Sequence, residues 1–491
     1  SSDDALGPVD FRSLSVREFG TIYEGLLESS LSFAAEDLTV DKNGAWAPAK
    51  RGDAVTAPKG SVYFHTASGE RKATGSYFTP KIVVDHLIER SIVPALTTHL
   101  DKIATYLKDG DAAAAARDFF DFRVADLAMG SGHFLVAAVD KIEALMRDFL
   151  TEHTVPGVTE ELLRLRTVAR DALGTDEVAK AEVDEVGLLR RQDARRCIYG
   201  LDINPMAVEL ARLALWIHTF VPGLPMSNLD HGLVNANSLT GIGSIDEAVD
   251  ALVGVSASFD GSALSAAGLG DGLFEPADSL FSEHSTQKPN RGGYQLWLRT
   301  ILTDYLESSK PLLLDMANAA EATKSEVQKS ADLLERARNA AEPAKRIFDA
   351  AVAVRMGRWS TSITRPEHVS RLTQATAPGE VLHPLVPAHL PYLFPEVFLR
   401  ATCGFDVVLG NPPWEKVRHE PTSFWAVRDP GLIALPDVKR AERIKHLRTS
   451  RPVEAAEEDA EARSRQELQE FFKKPFAWRG GTHLELAQLF L

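Results

Sequence analysis

Asp126-Leu127-Ala128-Met129-Gly130-Ser131-Gly132-His133-Phe134-Leu135 lies between two segments of different period. Upstream, Arg123 to Ala128 is short and apolar, as a buried strand requires. Downstream, His133 to Leu150 repeats its apolar residues at helical spacing. Glycines between the two allow a tight turn, and their missing side chains let backbone come close to a ligand. Strand, glycine turn and helix open an α/β unit of the kind that holds nucleosides and dinucleotides. The full G-x-G-x-x-G spacing is absent, and so is the lysine of a phosphate-binding loop, which disfavours ATP.

Working outward, Glu161 to Arg191 is charged and helical, and Cys197 to Ile203 reads as a second strand. Pro205 suits the first position of a helix that runs to Phe220. Leu233 to Leu239 reads as a third strand. This β-α-β-α-β order predicts a doubly wound α/β sheet with its ligand at the carboxyl ends of the strands. The pattern then breaks. Thr240 to Gly293 is loop-like, rich in Gly, Ser and Ala, and Tyr294 to Arg358 is helical. Within it, Asn318 to Arg346 reads as a helical hairpin or short coiled coil, either a structural insertion or a partner-binding arm. The sheet resumes with Phe405 to Leu409. Before the core, Val16 to Leu31 reads as a helix, Lys42 to Ser68 as hairpin or loop, and Lys81 to Leu100 as a helix.

Four regions follow: a helical amino-terminal region (1–110), the first half of the core (111–240), a mainly helical insertion with a flexible loop (241–390), and a last segment (391–491). The chain starts at Ser1 and stops at Leu491 inside an apolar stretch, so both ends look cut. The expectation is that core and a target-recognition domain continue past 491.

At 491 residues the chain has room for about two to four domains. Cys197 and Cys403 are its only cysteines, too far apart for metal-ligand spacing, and read as two small buried thiols. Neither a disulfide framework nor a metal site is expected. No apolar run reaches the roughly 20 residues of a membrane span, and no secretory signal opens the chain. The expected location is the cytoplasm. A formal net charge of −15 disfavours broad nucleic-acid binding, though one basic face can still hold phosphates.

Chemistry concentrates in five places. Asn411-Pro412-Pro413-Trp414 directly follows the last strand. Methylating an exocyclic amine requires drawing a delocalised lone pair out of the ring. The Asn411 amide oxygen and the Pro412 carbonyl can each accept one amino hydrogen. The two prolines stiffen the turn, and Trp414 offers a stacking face for a base turned out of its helix. The glycine turn is the second place. In the third, Gly200-Leu201-Asp202-Ile203-Asn204-Pro205, Asp202 at a strand tip can accept from both hydroxyls of a ribose, or it caps the following helix. In the fourth, Asn235-Ala236-Asn237-Ser238-Leu239, Asn237 either faces a ligand's adenine ring or closes a strand-end turn. In the fifth, Thr74-Gly75-Ser76-Tyr77-Phe78-Thr79-Pro80, Thr79 is placed as an N-cap on a helix whose amino end suits a carboxylate.

In this order, the five motifs resemble the DNA amino-methyltransferases of the gamma arrangement. More narrowly, Asp126 to Leu135, the run Tyr392-Leu393-Phe394-Pro395-Glu396-Val397-Phe398, and Gly404 to Trp414 resemble type IIG restriction–modification enzymes and the BREX and DISARM phage-defence methyltransferases. Leu127 and Met129 depart from the Pro and Cys common in relatives, and Trp414 replaces the usual Tyr or Phe. The resemblance implies a Rossmann-like class I core and an adenine-N6 methyltransferase acting on double-stranded DNA with S-adenosylmethionine. The base would be flipped, and its N6 would attack the sulfonium methyl in line. It further implies that Tyr77, Phe78 and Thr79 flank the methionine part of the cofactor. Asp126, Ala128, Gly130, Gly132, Phe134, Ile203 and Ser238 would line it, with Asp202 at the ribose and Asn237 at the adenine. Asn411, Pro412, Pro413 and Trp414 would grip the target base.

Basic residues crowd Val438 to Arg451, and Lys439, Arg440, Arg443 and Lys445 either contact DNA phosphates or form a solvated helix face. The adjoining acidic run Glu454 to Glu461 reads as a mobile loop. No acidic-acidic-Lys nuclease cluster is evident. Two other functions stay open: a glutamine methyltransferase, disfavoured by the Thr74 to Pro80 motif, and a cofactor-binding scaffold or sensor that is silent without other defence proteins.

Overall fold

The computed structural model describes residues 29–66, 79–253, 291–361, 366–413 and 417–473, apart from 35, 41–45, 51, 384, 427, 430, 431, 433 and 434. The chain divides into two compact units, one of residues 1–79 with 411–491 and the other of 80–410.

In the first unit, β1 (Ser29–Phe33) pairs antiparallel with β4 (Val62–Thr66), and β2 (Leu38–Val40) with β3 (Trp46–Pro48). The expected helix Val16 to Leu31 therefore gives way at its described end, where Ser29 to Leu31 belong to β1. Long-range pairing with β4 satisfies that backbone where a helix would have done so locally. The stretch Lys42 to Ser68, read as hairpin or loop, supplies β3 and β4, which pair with β2 and β1 and not with each other.

Past 411, the same unit is helical. The helices Asp437–Ser450 and Pro452–Lys473 follow a short turn of helix at Pro421–Ala426. The acidic run Glu454 to Glu461 is thus helix and not loop. Pro452 starts it. Glu458, 1% exposed, accepts from Trp425 Nε1 at 2.9 Å and pairs with Arg448, so one carboxylate of the run anchors the helix.

The second unit begins with α1 (Lys81–Lys108), whose Ile88, Ile92, Leu96 and Leu100 form one stripe at four-residue spacing. The stripe belongs to the same apolar core as Leu135, Ala138, Val139, Ile142 and Met146 of α2 (His133–Glu152). Burying each large aliphatic stabilises the fold by about 1.5–3 kcal/mol. The sheet beside this core has four parallel strands in the order β7-β6-β5-β8, with β5 at Val124–Asp126, β6 at Ile198–Asp202, β7 at Leu233–Asn235 and β8 at Val407–Val408. Chain order runs from β5 to one side and then returns to the other with β8. The reversal point lies between β5 and β8, where open α/β sheets bind ligands.

Glu161 to Arg191 is not one helix. Asp176 and Asp184 each accept an N–H three residues on, starting new helices that end in α3 (Glu185–Arg196). After β6, α4 (Pro205–His218) opens with Asn204 accepting from the Met206 N–H. The insertion between β7 and β8 is helical, as expected. Its hairpin, however, is α5 (Arg291–Asn318) against α6 (Lys324–Arg355), with the turn at the start of Asn318 to Arg346 rather than inside it. Arg195 of α3 fixes this turn by pairing with Glu321 at 3.0 Å, and the Arg191 and Gln192 side chains donate to the Glu321 and Ala320 carbonyls.

Cys197 is buried, as read, but Cys403 is exposed in the turn before β8, donating to the Phe398 carbonyl at 3.1 Å. Among the described residues, no helix is long and apolar enough to cross a membrane, and no group of His, Cys, Asp and Glu is placed to hold a metal ion.

Candidate active site

The site begins where β5 ends. Asp126 is 1% exposed, and its Oδ1 accepts from the Ala128 N–H at 3.0 Å. Its Oδ2 has no hydrogen-bond partner among the described residues. Burial, with the neighbouring charge of Asp202, pushes the carboxyl up to about 7.

Gly132 heads α2 with φ 80°, a conformation that side-chain-bearing residues rarely adopt. A Cβ there would also meet Ala211 Cβ of α4 at 3.0 Å, so the turn and the α2–α4 approach both need glycine. Phe134 is 5% exposed and belongs to the apolar core.

Asp202 ends β6. Its Oδ2 accepts from the Gly130 N–H at 2.9 Å and its Oδ1 from the Asn204 N–H at 2.8 Å. One carboxylate thus ties the glycine turn to the start of α4. Burial raises its pKa, and the two N–H groups work against that rise. Ile203 beside it is 61% exposed.

The third strand is shorter than read, because the chain changes partners after Ala236. The Asn237 N–H donates to the Val386 carbonyl, and the Asn237 carbonyl accepts from Ala388. A return segment of the insertion therefore runs alongside Asn237. The Asn237 Oδ1 accepts from the Leu239 N–H at 3.1 Å, the strand-end turn that was one of its two readings. Ser238 donates to the Leu127 carbonyl at 2.9 Å, joining this loop to the first motif.

The remaining candidates belong to the first unit. Asn411, Pro412 and Pro413 are half-buried. Asn411 Nδ2 donates to Thr79 Oγ1 at 3.1 Å. Thr79 is not the cap of α1; Pro80 takes that place with no side-chain bond, and Thr79's hydroxyl meets Asn411. Trp414, Tyr77 and Phe78 lie outside the described residues.

Residues 196–426 match the family model described as Eco57I restriction-modification methylase. The match takes in Asp202, Asn237 and Asn411 but begins after the glycine turn. The chain is similar to restriction–modification methylases. It is also 22% identical over 382 residues to a Methanocaldococcus jannaschii protein named as a type II restriction enzyme and methyltransferase. That alignment covers 70% of this chain and 28% of the relative's length. No solved structure matches the chain.

The four basic candidates sit on the helix Asp437–Ser450 and divide in two. Arg443 makes a two-pronged pair with Asp429, at 2.9 and 2.7 Å, and Arg440 pairs with Asp437 at 3.2 Å. Lys439 and Lys445 are exposed and form no ion pair among the described residues.

Three contributors escape a motif-by-motif reading. Asn235 donates from Nδ2 to the carbonyls of Asp202 and Ile203, both at 2.9 Å, and holds the tip of β6 in place. Its spacing of two from Asn237 on a strand was the available signal. Gly410 has φ 152°, and a Cβ there would fall 2.6 Å from Asp126 Oδ1. Glu396, in the run that carried part of the resemblance, accepts from Tyr199 at 3.0 Å and pairs with His231 at 2.8 Å. Burial pulls Glu396 up, but His231 and Arg123 outweigh it and hold the carboxylate below its ordinary range.

Proposed function

We propose that this chain is the catalytic part of a DNA adenine-N6 methyltransferase that uses S-adenosylmethionine and marks host DNA in a restriction–modification or phage-defence system. The observation that carries this reading is Asn411-Pro412-Pro413 following directly on the β8 segment, within the stretch that matches the methylase family. The name of the Methanocaldococcus relative agrees with it.

The donor set suits the cofactor. Asp126 has a buried oxygen without a partner beside the reversal point of the sheet, which an ammonium or hydroxyl could meet. Asp202 keeps a second lone pair on each oxygen for a ribose diol, and Asn237 keeps its amide N–H groups for an adenine ring. When bound, the cofactor supplies a methyl group activated by an adjacent sulfonium. The chain's own residues act on the base. Asn411 Oδ1 and the Pro412 carbonyl accept the two amino hydrogens and draw the nitrogen toward a tetrahedral shape, which frees its lone pair. Proline at 412 and 413 keeps both acceptors in place before the base arrives. The attacking electrons are the nitrogen's own lone pair, so no general base is needed before the methyl moves, and the nitrogen gives up one proton to solvent afterwards.

The test is transfer of labelled methyl to double-stranded DNA by the full-length protein, with digestion to nucleosides. Label is expected on adenine N6, and Asn411→Ala should reduce it by about 10²–10³-fold, the usual effect of removing one preorganised acceptor or donor. Cofactor binding without label on any base would favour a silent subunit of a defence complex.

A further inference from the structure

We infer that Thr79 is a positioning residue for Asn411, holding its carboxamide in place at the substrate amine. The inference rests on the methyl-transfer reading above. Thr79 is 8% exposed, and its Oγ1 lies 3.1 Å from Asn411 Nδ2. The two residues are 332 positions apart, so the bond is not a product of local chain geometry.

A threonine just before a helix ordinarily gives its hydroxyl to an N–H of the first turn. Here Pro80 is the cap, and its carbonyl accepts from Val83 and Val84. The hydroxyl is left for Asn411. A carboxamide is planar, so tying down the nitrogen puts the oxygen on the opposite side. That orientation presents an acceptor, which an exocyclic amine needs. The flipped amide would present a donor to a donor and could not draw out the lone pair. Thr79 therefore acts on the methyl acceptor through Asn411 and needs no contact with the acceptor itself.

Single-turnover methyl transfer at saturating cofactor and DNA, together with cofactor affinity by calorimetry, tests this in the full-length protein. Thr79→Val should slow transfer about tenfold, the effect of one lost orienting hydrogen bond, with cofactor affinity held within about twofold. Thr79→Ser keeps the hydroxyl and should restore the rate. Adding Thr79→Val to Asn411→Ala should cause no further loss, since no amide remains to be oriented. Weakened cofactor binding with an unchanged saturated rate would make Thr79 a cofactor contact alone and overturn the inference. So would equal slowing of wild type and Asn411→Ala, which marks a general structural effect. Should Thr79→Val fail to fold, a Thr79→Ser rate well below wild type with wild-type melting would also overturn it. Asn411→Ala as active as wild type would instead sink the reading of the site, and the inference with it.

Discussion

Asp126 and Asp202 end neighbouring parallel strands, and yet their carboxylates have opposite surroundings. Asp202 takes two backbone N–H groups, one from the glycine turn and one from the start of α4. Asp126 is more deeply buried, takes one, and leaves Oδ2 without a partner among the described residues. The first is a clasp that shapes the site. The second keeps one oxygen without a partner, and burial, with the Asp202 charge beside it, lifts it to about 7 against the single Ala128 N–H. Two acidic residues that look equivalent in sequence therefore divide into one that clasps two backbone N–H groups and one that keeps a buried oxygen without a partner among the described residues.

The largest effect expected from breaking this pair comes from the clasp. Asp202→Ala strands the Gly130 and Asn204 N–H groups, and should cost about 2–4 kcal/mol in a urea titration, with Asn at this position intermediate. A cost no greater than that of an ordinary surface substitution would show that the carboxylate does not hold the turn.

Next comes Gly410→Ala, which introduces a Cβ at φ 152° and 2.6 Å from Asp126 Oδ1. It should destabilise by about 1–3 kcal/mol. Combining it with Asp126→Ala should recover part of that loss, namely the steric part, while the backbone strain stays. Strict additivity in the double mutant would mean that Gly410 and Asp126 do not press on each other.

The smallest effect concerns pH. An Asp ordinarily ionises near 3.8, whereas buried Asp126 holds its proton to about 7. Below about pH 4 the folded and unfolded chains both carry that proton, and the burial costs nothing. Between about pH 4 and 7 the unfolded chain ionises first, so stability falls as pH rises. Asp126→Asn should therefore gain stability over wild type as the pH rises toward 8, with the two converging at pH 4. Equal melting at pH 8 would remove the contrast between the two carboxylates. Cofactor affinity should move the other way, falling in Asp126→Asn because the neutral amide cannot serve a cationic group as a carboxylate does.

Local signals were legible in the residues themselves. The strand-turn-helix at Asp126 to Leu135, Pro205 at the head of α4 and the helical character of the insertion all follow from period and turn chemistry within a short window. Errors fall where a distant partner overrides the local preference. Ser29 to Leu31 becomes strand because β4 pairs with it. The acidic run after Glu454 becomes helix around Glu458, whose partners Trp425 and Arg448 lie elsewhere in sequence. Asn237 leaves its strand because residues 386–388 pair with it from the far end of the insertion.

By itself, the sequence determined which residues can do the chemistry: an amide before two prolines, glycines at a strand end, and acids at strand tips. Those are properties of side chains and of a few neighbouring dihedral angles, and they need no fold to be stated. Only the tertiary structure decided how those residues are employed. It made Asp202 a clasp and left Asp126 without a second partner, and it gave Thr79's hydroxyl to Asn411 in place of the helix it precedes. The physical reason is that a hydrogen-bonding group's role is set by which partners burial brings within about 3 Å, and those partners lie tens to hundreds of residues away.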